Sequence, residues 1–127
     1  MKQARVAVFE DSPDWQRLYE TFLADDGHQV VASATSMPEA RETIDALEPG
    51  DIDVALVDGN ISPNARGAFE GDELANLLRI KLGNVTIIGV SNERDIVGAD
   101  TNIIKTRTPR LINDFIGAMV TETQVEP

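Results

Sequence analysis

Short apolar runs alternate along the chain with stretches in which apolar residues recur at helical spacing. The runs that predict strands lie at residues 6–9, 29–34, 54–57, 85–90 and 101–104. A short, continuous apolar run is typical of a strand that is buried on both faces, as strands of a parallel sheet are. The alternation therefore predicts an α/β domain built on a parallel sheet of five strands.

Serine and proline mark the starts of two predicted helices. Ser12 and Ser36 are each followed within two residues by proline, and serine caps a helix N-terminus while proline fits its first turn. A third helix is expected to end at Gly83, and a last helix to begin at the cap Thr108. The spacing i, i+3, i+4 predicts that the inner face of the first helix consists of Trp15, Leu18, Tyr19, Phe22 and Leu23.

The connection between the fourth and fifth strands is short. Ten residues separate Ser91 from Asn102, whereas a mean helix of about 11 residues with two connections needs more. Ile96 and Val97 are its only large apolar residues and Gly98 comes directly after them, so there is no amphipathic stripe. The sequence therefore predicts that the fourth helix is missing or reduced to about one turn.

Length and composition are those of a folded domain. The chain of 127 residues fits one domain, for which we expect a core over residues 5–120 and a flexible tail over 121–127. Hydrophobic residues make up 42% of the chain, which indicates a packed core rather than disorder. The apolar run 6–9 is far shorter than a signal-peptide core or a membrane span, so we expect a cytoplasmic protein.

Charge and rare residues exclude several classes of site. The net charge of −11 disfavours direct nucleic-acid binding, because a phosphate backbone repels an acidic surface that lacks a basic patch. The chain has no cysteine and one histidine, His28, which excludes thiolate and histidine-cluster metal sites. Sites with oxygen ligands for hard cations stay open.

Chemically useful side chains lie at the ends of four of the predicted strands. Glu10 and Asp11 come after the first strand, Asp58 after the third, Ser91 after the fourth and Lys105 after the fifth. Because the carboxyl ends of parallel strands meet at one edge of the sheet, these side chains are expected to converge. Converging carboxylates repel one another, and an all-oxygen ligand set favours Mg²⁺ as the counter-ion. Asp58 is then the candidate nucleophile, with Ser91 and Lys105 binding phosphoryl oxygens.

This arrangement resembles the receiver domain of two-component response regulators over residues 5–120. The resemblance implies a flavodoxin-like, CheY-like, doubly wound sheet of five parallel strands in the order 2-1-3-4-5. It implies that Glu10, Asp11, Asp58 and the backbone carbonyl of Asn60 bind Mg²⁺, and that a sensor histidine kinase or phosphotransfer protein supplies the phosphoryl group. It also implies a signalling domain rather than an enzyme, acting on an unidentified downstream protein.

Three residues depart from the pattern of this family. Thr106 comes after the lysine where proline is usual, Asn102 replaces an aromatic residue, and Asn92 comes after the hydroxyl residue where a small residue is usual. In the family, dimerisation and output use the fourth helix, fifth strand and fifth helix, so that dimer is not expected here. A receiver-like interaction scaffold that is never phosphorylated stays open as the alternative, because the switch position is altered.

Two enzyme classes fit the sequence less well. A HAD-type phosphatase also uses an aspartate after a strand, but it needs a second acid two residues later, where this chain has Asn60. A Toprim-like metal nuclease lacks the same second acid here, and the net charge of −11 is unfavourable for DNA binding.

Overall fold

The computed structural model describes residues 3–59, 70–92, 94–104, 112–114 and 116–117. Its elements are β1 (Arg5–Phe9), α1 (Pro13–Asp25), β2 (Gln29–Ala34), α2 (Met37–Ala46), β3 (Val54–Asp58), α3 (Glu70–Leu82), β4 (Thr86–Ser91) and β5 (Thr101–Ile104). Residues 112–114 and 116–117 are also helical. The predicted cap Thr108 and the predicted tail 121–127 lie outside the described residues. None of the helices described is long and apolar enough to cross a membrane.

The five strands form one parallel sheet in the order β2-β1-β3-β4-β5, which confirms the predicted doubly wound, flavodoxin-like α/β fold. β3 lies between β1 and β4, with Ala55 opposite Ala7 on one side and Ile87 on the other. Every residue of β3 is buried, as expected for a central strand that is covered on both faces. Its last residue, Asp58, therefore lies at the carboxyl edge of the sheet, on the central strand.

Two apolar layers cover the two faces of the sheet. α2 and α3 pack on one face, in a cluster that includes Phe9, Val57, Leu74, Leu78 and Ile87. α1 and the helical residues near the C-terminus pack on the other, in a cluster that includes Val8, Tyr19, Leu23, Leu56 and Ile112. Successive side chains of β1 and β3 enter opposite layers, so a register shift of one residue would exchange the two layers.

The predicted helix boundaries are confirmed where local signals set them. Ser12 and Ser36 each accept a hydrogen bond of 3.3 Å from a backbone N–H three residues later, that of Trp15 and that of Glu39. Gly83 has a φ of 69° directly after α3, the left-handed conformation that glycine permits at a helix end.

The inner face of α1 differs from the prediction. Leu18 is 36% exposed, and the buried residues are Gln16, Tyr19 and Leu23. These three lie at positions i, i+3 and i+7, which is the spacing of one helix face, so the buried face is rotated toward Gln16. The face is rotated because the Gln16 amide donates hydrogen bonds to backbone carbonyls at the strand ends. The periodicity of apolar residues cannot predict such a polar contact.

The connection between β4 and β5 contains no helix within the described residues 92 and 94–100, which confirms the predicted loss or shortening of the fourth helix. Asn102 of β5 holds this connection. Its Oδ1 accepts from the Ile96 N–H at 2.8 Å, and its Nδ2 donates to the Ile96 carbonyl at 3.4 Å. Gly89 of β4 makes room, because a Cβ there would lie 2.3 Å from Asn102 Oδ1. Asn102, where the family pattern has an aromatic residue, thus ties the connection to the sheet.

Two ion pairs fix the outer side of this connection. Arg94 pairs with Asp72 at 2.7 Å, and the Asp72 carboxylate also accepts from the Val97 N–H at 2.7 Å. Arg79 pairs with Asp100 at 3.0 Å. Burial raises the pKa of Asp72, but its bonds to Arg94 and to the Val97 N–H outweigh this effect and leave the pKa below its usual value. The connection is therefore anchored on α3.

The burial of His28 predicts that the fold loses stability in mild acid. Its imidazole is buried, and its Nδ1 accepts a hydrogen bond of 3.1 Å from the Ala4 N–H, so the ring is neutral. Burial lowers the pKa of His28, with a smaller opposing effect from Asp26. The unfolded chain therefore binds the proton more readily than the folded chain does. Stability is lost as pH falls below the unfolded value of about 6.5, by at most about 1.4 kcal/mol per pH unit.

We expect the His28→Gln variant, which keeps an acceptor for the Ala4 N–H, to lose this part of the pH dependence. Urea unfolding of both proteins at about pH 7.5 and about pH 5.5 measures it, above the range where most carboxylates titrate. The wild type should lose more unfolding free energy between the two values than the variant does. Equal losses would contradict a neutral, buried imidazole.

Candidate metal and phosphoryl site

Three carboxylates lie together where β1 and β3 end. Glu10 and Asp11 come directly after β1, and Asp58 is the last residue of the adjacent β3. One oxygen atom from each carboxylate lies within 4.8 Å of the others. Glu10 is 1% exposed and Asp58 8%, whereas Asp11 is partly exposed. The structure therefore brings together the three acids that were expected to converge at this edge.

The turn after β1 orients the first of these acids. The Glu10 N–H donates to the Ala34 carbonyl at 3.0 Å, one residue beyond the end of β1. The Glu10 Oε2 accepts from the Ser12 N–H at 3.1 Å, and Ser12 in turn caps α1. The Glu10 carboxylate thus lies at the N-terminus of α1, where the helix dipole favours a negative charge.

The backbone of Gly59 and that of Gly71 lie close to Asp58. The Gly59 N–H lies 2.8 Å from Asp58 Oδ1 and 3.3 Å from the Val90 carbonyl, so it holds the carboxylate and links it to β4. Gly71, in the first turn of α3, donates to the Gly59 carbonyl at 2.7 Å. A Cβ at Gly71 would lie 2.8 Å from the Asp58 carbonyl oxygen, so the approach requires glycine. The sequence alone does not predict a role in the site for Gly59 or Gly71, because each role depends on contacts between segments that are far apart in the sequence.

Ser91 ends β4 at the same edge of the sheet. Asp58 pairs in register with Val90, so Ser91 lies one residue beyond it on the neighbouring strand. Ser91 pairs in turn with Ile104, the last residue of β5, and Lys105 is the next residue of the chain. The Ser91 hydroxyl is therefore on β4, the strand next to β3, which ends at the candidate nucleophile Asp58.

Tyr19 lies near the acids, although its spacing alone predicted only a core position. Its side chain is buried and packs against Trp15, with the ring centroids 5.6 Å apart. Burial, and then the charges of Glu10 and Asp58, raise the pKa of the Tyr19 hydroxyl far above its ordinary value. The hydroxyl therefore stays protonated, and it has no hydrogen-bond partner among the described residues.

The set of donor atoms fits a divalent cation. All candidate ligand atoms are oxygens, and carboxylates this close repel one another unless a positive charge lies among them. Mg²⁺ binds such sites through one or two carboxylates and keeps several waters, one of which a phosphate oxygen can replace. Asn60 and Lys105 lie outside the described residues, so their roles stay predictions. The three acids can therefore hold a divalent cation at this edge of the sheet.

The fold is shared with solved receiver domains over nearly the whole chain. The CheY-like response regulator receiver domain protein of Methanospirillum hungatei JF-1 is 20% identical with a TM-score of 0.78, covering 99% of this chain and 100% of that one. A two-component response regulator from Clostridium difficile is 16% identical with a TM-score of 0.76, covering 95% and 98%. The response regulator domain of Thermotoga maritima CheB is 22% identical with a TM-score of 0.67, covering 99% and 100%. Neither a family model nor a curated protein matches the sequence.

Proposed function

We propose that this chain is a signalling receiver domain that accepts a phosphoryl group on Asp58, rather than an enzyme that turns over a free substrate. The observation that supports this most is the cluster of Glu10, Asp11 and Asp58, whose oxygens lie within 4.8 Å of one another. The cluster lies at the carboxyl edge of a parallel sheet, where such folds bind ligands. The proposed donor is the phosphohistidine of a sensor histidine kinase or phosphotransfer protein, and the proposed location is the cytoplasm.

In the proposed reaction a carboxylate oxygen of Asp58 attacks the phosphorus atom of the phosphohistidine. A P–O bond forms while the P–N bond breaks, and the imidazole nitrogen leaves with the electron pair. The Gly59 N–H, 2.8 Å from Oδ1, orients the attacking carboxylate. Mg²⁺ held by Glu10, Asp11, Asp58 and the proposed Asn60 carbonyl would neutralise charge that develops on the phosphoryl oxygens. The Ser91 hydroxyl and the Lys105 ammonium are proposed to bind the remaining phosphoryl oxygens.

Labelling with a small phosphodonor tests this proposal. The protein is treated with acetyl phosphate in Mg²⁺ or in EDTA, and its intact mass is measured. We expect one added phosphoryl group, only with Mg²⁺, in the wild type and equally in Asp14→Asn, which alters an exposed acid paired with Arg17. An unmodified wild type would favour the scaffold that is never phosphorylated, and equal labelling in EDTA would exclude a role for Mg²⁺.

Mg²⁺ should also stabilise the fold. Binding to the folded state adds RT ln(1 + [L]/Kd) to the free energy of unfolding, about 1.4 kcal/mol at a free concentration of about ten times Kd. For a chain of this size the melting temperature should rise by roughly 5 °C. In EDTA, Asp11→Asn should melt above the wild type because it removes one repelling charge, and it should lose most of the Mg²⁺ response. A full Mg²⁺ response in Asp11→Asn would contradict its place in the ligand set.

Within the part of the β4–β5 connection that the structure describes there is no regular fourth helix, and this bears on the output surface. We propose that the chain does not form the dimer built on the fourth helix, fifth strand and fifth helix. We propose instead that its response to phosphorylation appears in segment 94–100 and beside β5. Val97 is 69% exposed and Ile104 55%, so apolar side chains are available there for a downstream protein.

A further inference from the structure

The buried amide of Gln16 joins the ends of two strands to α1. Its Nε2 lies 3.1 Å from the carbonyl oxygens of both Glu10 and Ala34, and 3.4 Å from that of Val8. Three acceptors around one terminal atom identify that atom as nitrogen, because the amide oxygen cannot donate. Gln16 is 6% exposed, so these bonds are shielded from water. Gln16 of α1 therefore holds the turn that carries Glu10 and Asp11 through a buried hydrogen bond to its backbone.

The bond to the Glu10 carbonyl is the one that bears on the acids. That carbonyl belongs to the planar peptide unit between Glu10 and Asp11, so its direction is tied to the ψ of Glu10 and the φ of Asp11, two of the torsions that set the path of the chain through both residues. The Glu10 N–H is already fixed by the Ala34 carbonyl, and the Glu10 side chain by the Ser12 N–H. Gln16 supplies the remaining constraint, which is the direction of the peptide unit itself.

Packing alone does not account for this residue. Gln16 Oε1 is buried and has no hydrogen-bond partner among the described residues, which costs stability that an apolar side chain would not cost. Tyr19 and Leu23, which share its helix face, are the larger and less polar residues that such a face usually buries. What the amide adds is its Nε2 donor, and the acceptors of that donor include the backbone of the acidic turn.

We infer that Gln16 is a positioning residue, which holds the peptide unit between Glu10 and Asp11 so that their carboxylates face Asp58 and bind Mg²⁺. This inference rests on the proposed function, because it assumes that the three acids form a metal site. It extends that proposal to a residue of α1 that contacts neither the cation nor the phosphoryl group. The expected consequence of its loss is weaker Mg²⁺ binding with an unchanged nucleophile.

The Gln16→Met variant tests the inference, because methionine has a similar length and no donor. Asn113→Leu is the matched control: the Asn113 Nδ2 donates to the Phe22 carbonyl at 2.7 Å, so this variant also loses an amide-to-carbonyl bond on α1, away from the acids. Calorimetric titration with Mg²⁺, well below the melting temperature of each variant, gives the dissociation constants. We expect Gln16→Met to raise the Mg²⁺ Kd about tenfold and Asn113→Leu to change it less than about twofold.

The dependence of labelling on Mg²⁺ separates positioning from a general structural role. The rate of acetyl phosphate labelling of Gln16→Met should fall at limiting Mg²⁺ and return to within about threefold of the wild-type rate at saturating Mg²⁺. Gln16→Leu serves as a second variant if Gln16→Met does not fold. An unchanged Kd in the Gln16 variant, or an equal rise in Asn113→Leu, would overturn the positioning role and leave the proposed function standing. A wild type that binds no Mg²⁺ would overturn both.

Discussion

The Asp58→Asn variant should take up no phosphoryl group under conditions that label the wild type fully. The amide that replaces the carboxylate has no charged oxygen that can attack phosphorus. The loss should be complete, because in the proposed reaction the neighbouring acids Glu10 and Asp11 serve only as Mg²⁺ ligands. Intact mass after acetyl phosphate treatment with Mg²⁺ measures the effect.

Asp53→Asn is the matched control for this experiment. Asp53 immediately precedes β3, so it lies at the opposite end of the strand that ends at Asp58. Its carboxylate accepts from the Arg5 backbone N–H at 2.8 Å and from the Arg5 guanidinium at 3.1 and 3.3 Å, far from Asp58, and the amide oxygen of asparagine can still accept from that backbone N–H. Asp53→Asn should therefore be labelled as fully as the wild type. Residual labelling of Asp58→Asn, or a loss of labelling in Asp53→Asn, would contradict the assignment of Asp58 as phosphoacceptor.

Gly89→Ala should destabilise the fold by about 2–3 kcal/mol, which lowers the melting temperature by roughly 10 °C. The added Cβ would lie 2.3 Å from Asn102 Oδ1 and 3.0 Å from Ile96 Cδ1, so the connection between β4 and β5 must move. The Asn102→Ala variant should cost about 2 kcal/mol, because the Ile96 N–H loses its acceptor in a partly buried setting. Chemical denaturation of each variant gives these free energies.

A double-mutant cycle shows whether the two effects share one cause. If Asn102 and Gly89 act through the same contact, the double variant should be more stable than the sum of the single effects implies, by at least about 1 kcal/mol. Gly117→Ala is the control, because a Cβ at that helical glycine would meet nothing within 4 Å and should be neutral or slightly stabilising. If the losses of unfolding free energy in Gly89→Ala and Asn102→Ala were additive, the space at Gly89 and the Asn102 side chain would not act through the same contact.

Local signals predicted the elements of this fold well. β5 covers Thr101–Ile104 as expected, and Ser12 and Ser36 cap their helices, because a cap or a short apolar run is set by neighbours in the sequence. The missing or shortened fourth helix could also be predicted, from the ten residues between Ser91 and Asn102 and their lack of an amphipathic stripe, and the described residues 92 and 94–100 contain no helix. The residue that holds the resulting connection could not be predicted, because the contact of Asn102 with Ile96 depends on the absence of a side chain at Gly89, on another strand.

The site was predictable to the extent that strand topology places its residues. Glu10, Asp11 and Asp58 converge because parallel neighbours bring their carboxyl ends to one edge. The supporting residues were not predictable in this way. Gln16 interrupts an apolar pattern, so periodicity alone placed Leu18 on the inner face, and only the carbonyls at the strand ends explain why an amide is buried there.

Reductive trapping of the phosphorylated protein tests the central proposal most directly. Borohydride reduces an aspartyl phosphate to homoserine with release of phosphate, and peptide mass spectrometry then identifies the residue that carried the group. After treatment with acetyl phosphate and Mg²⁺, we predict homoserine at position 58, with Asp11 and Asp53 unchanged. Homoserine at another aspartate, reduction of a glutamate to its alcohol, or an intact Asp58 in a protein that has gained the mass of a phosphoryl group would contradict the proposal.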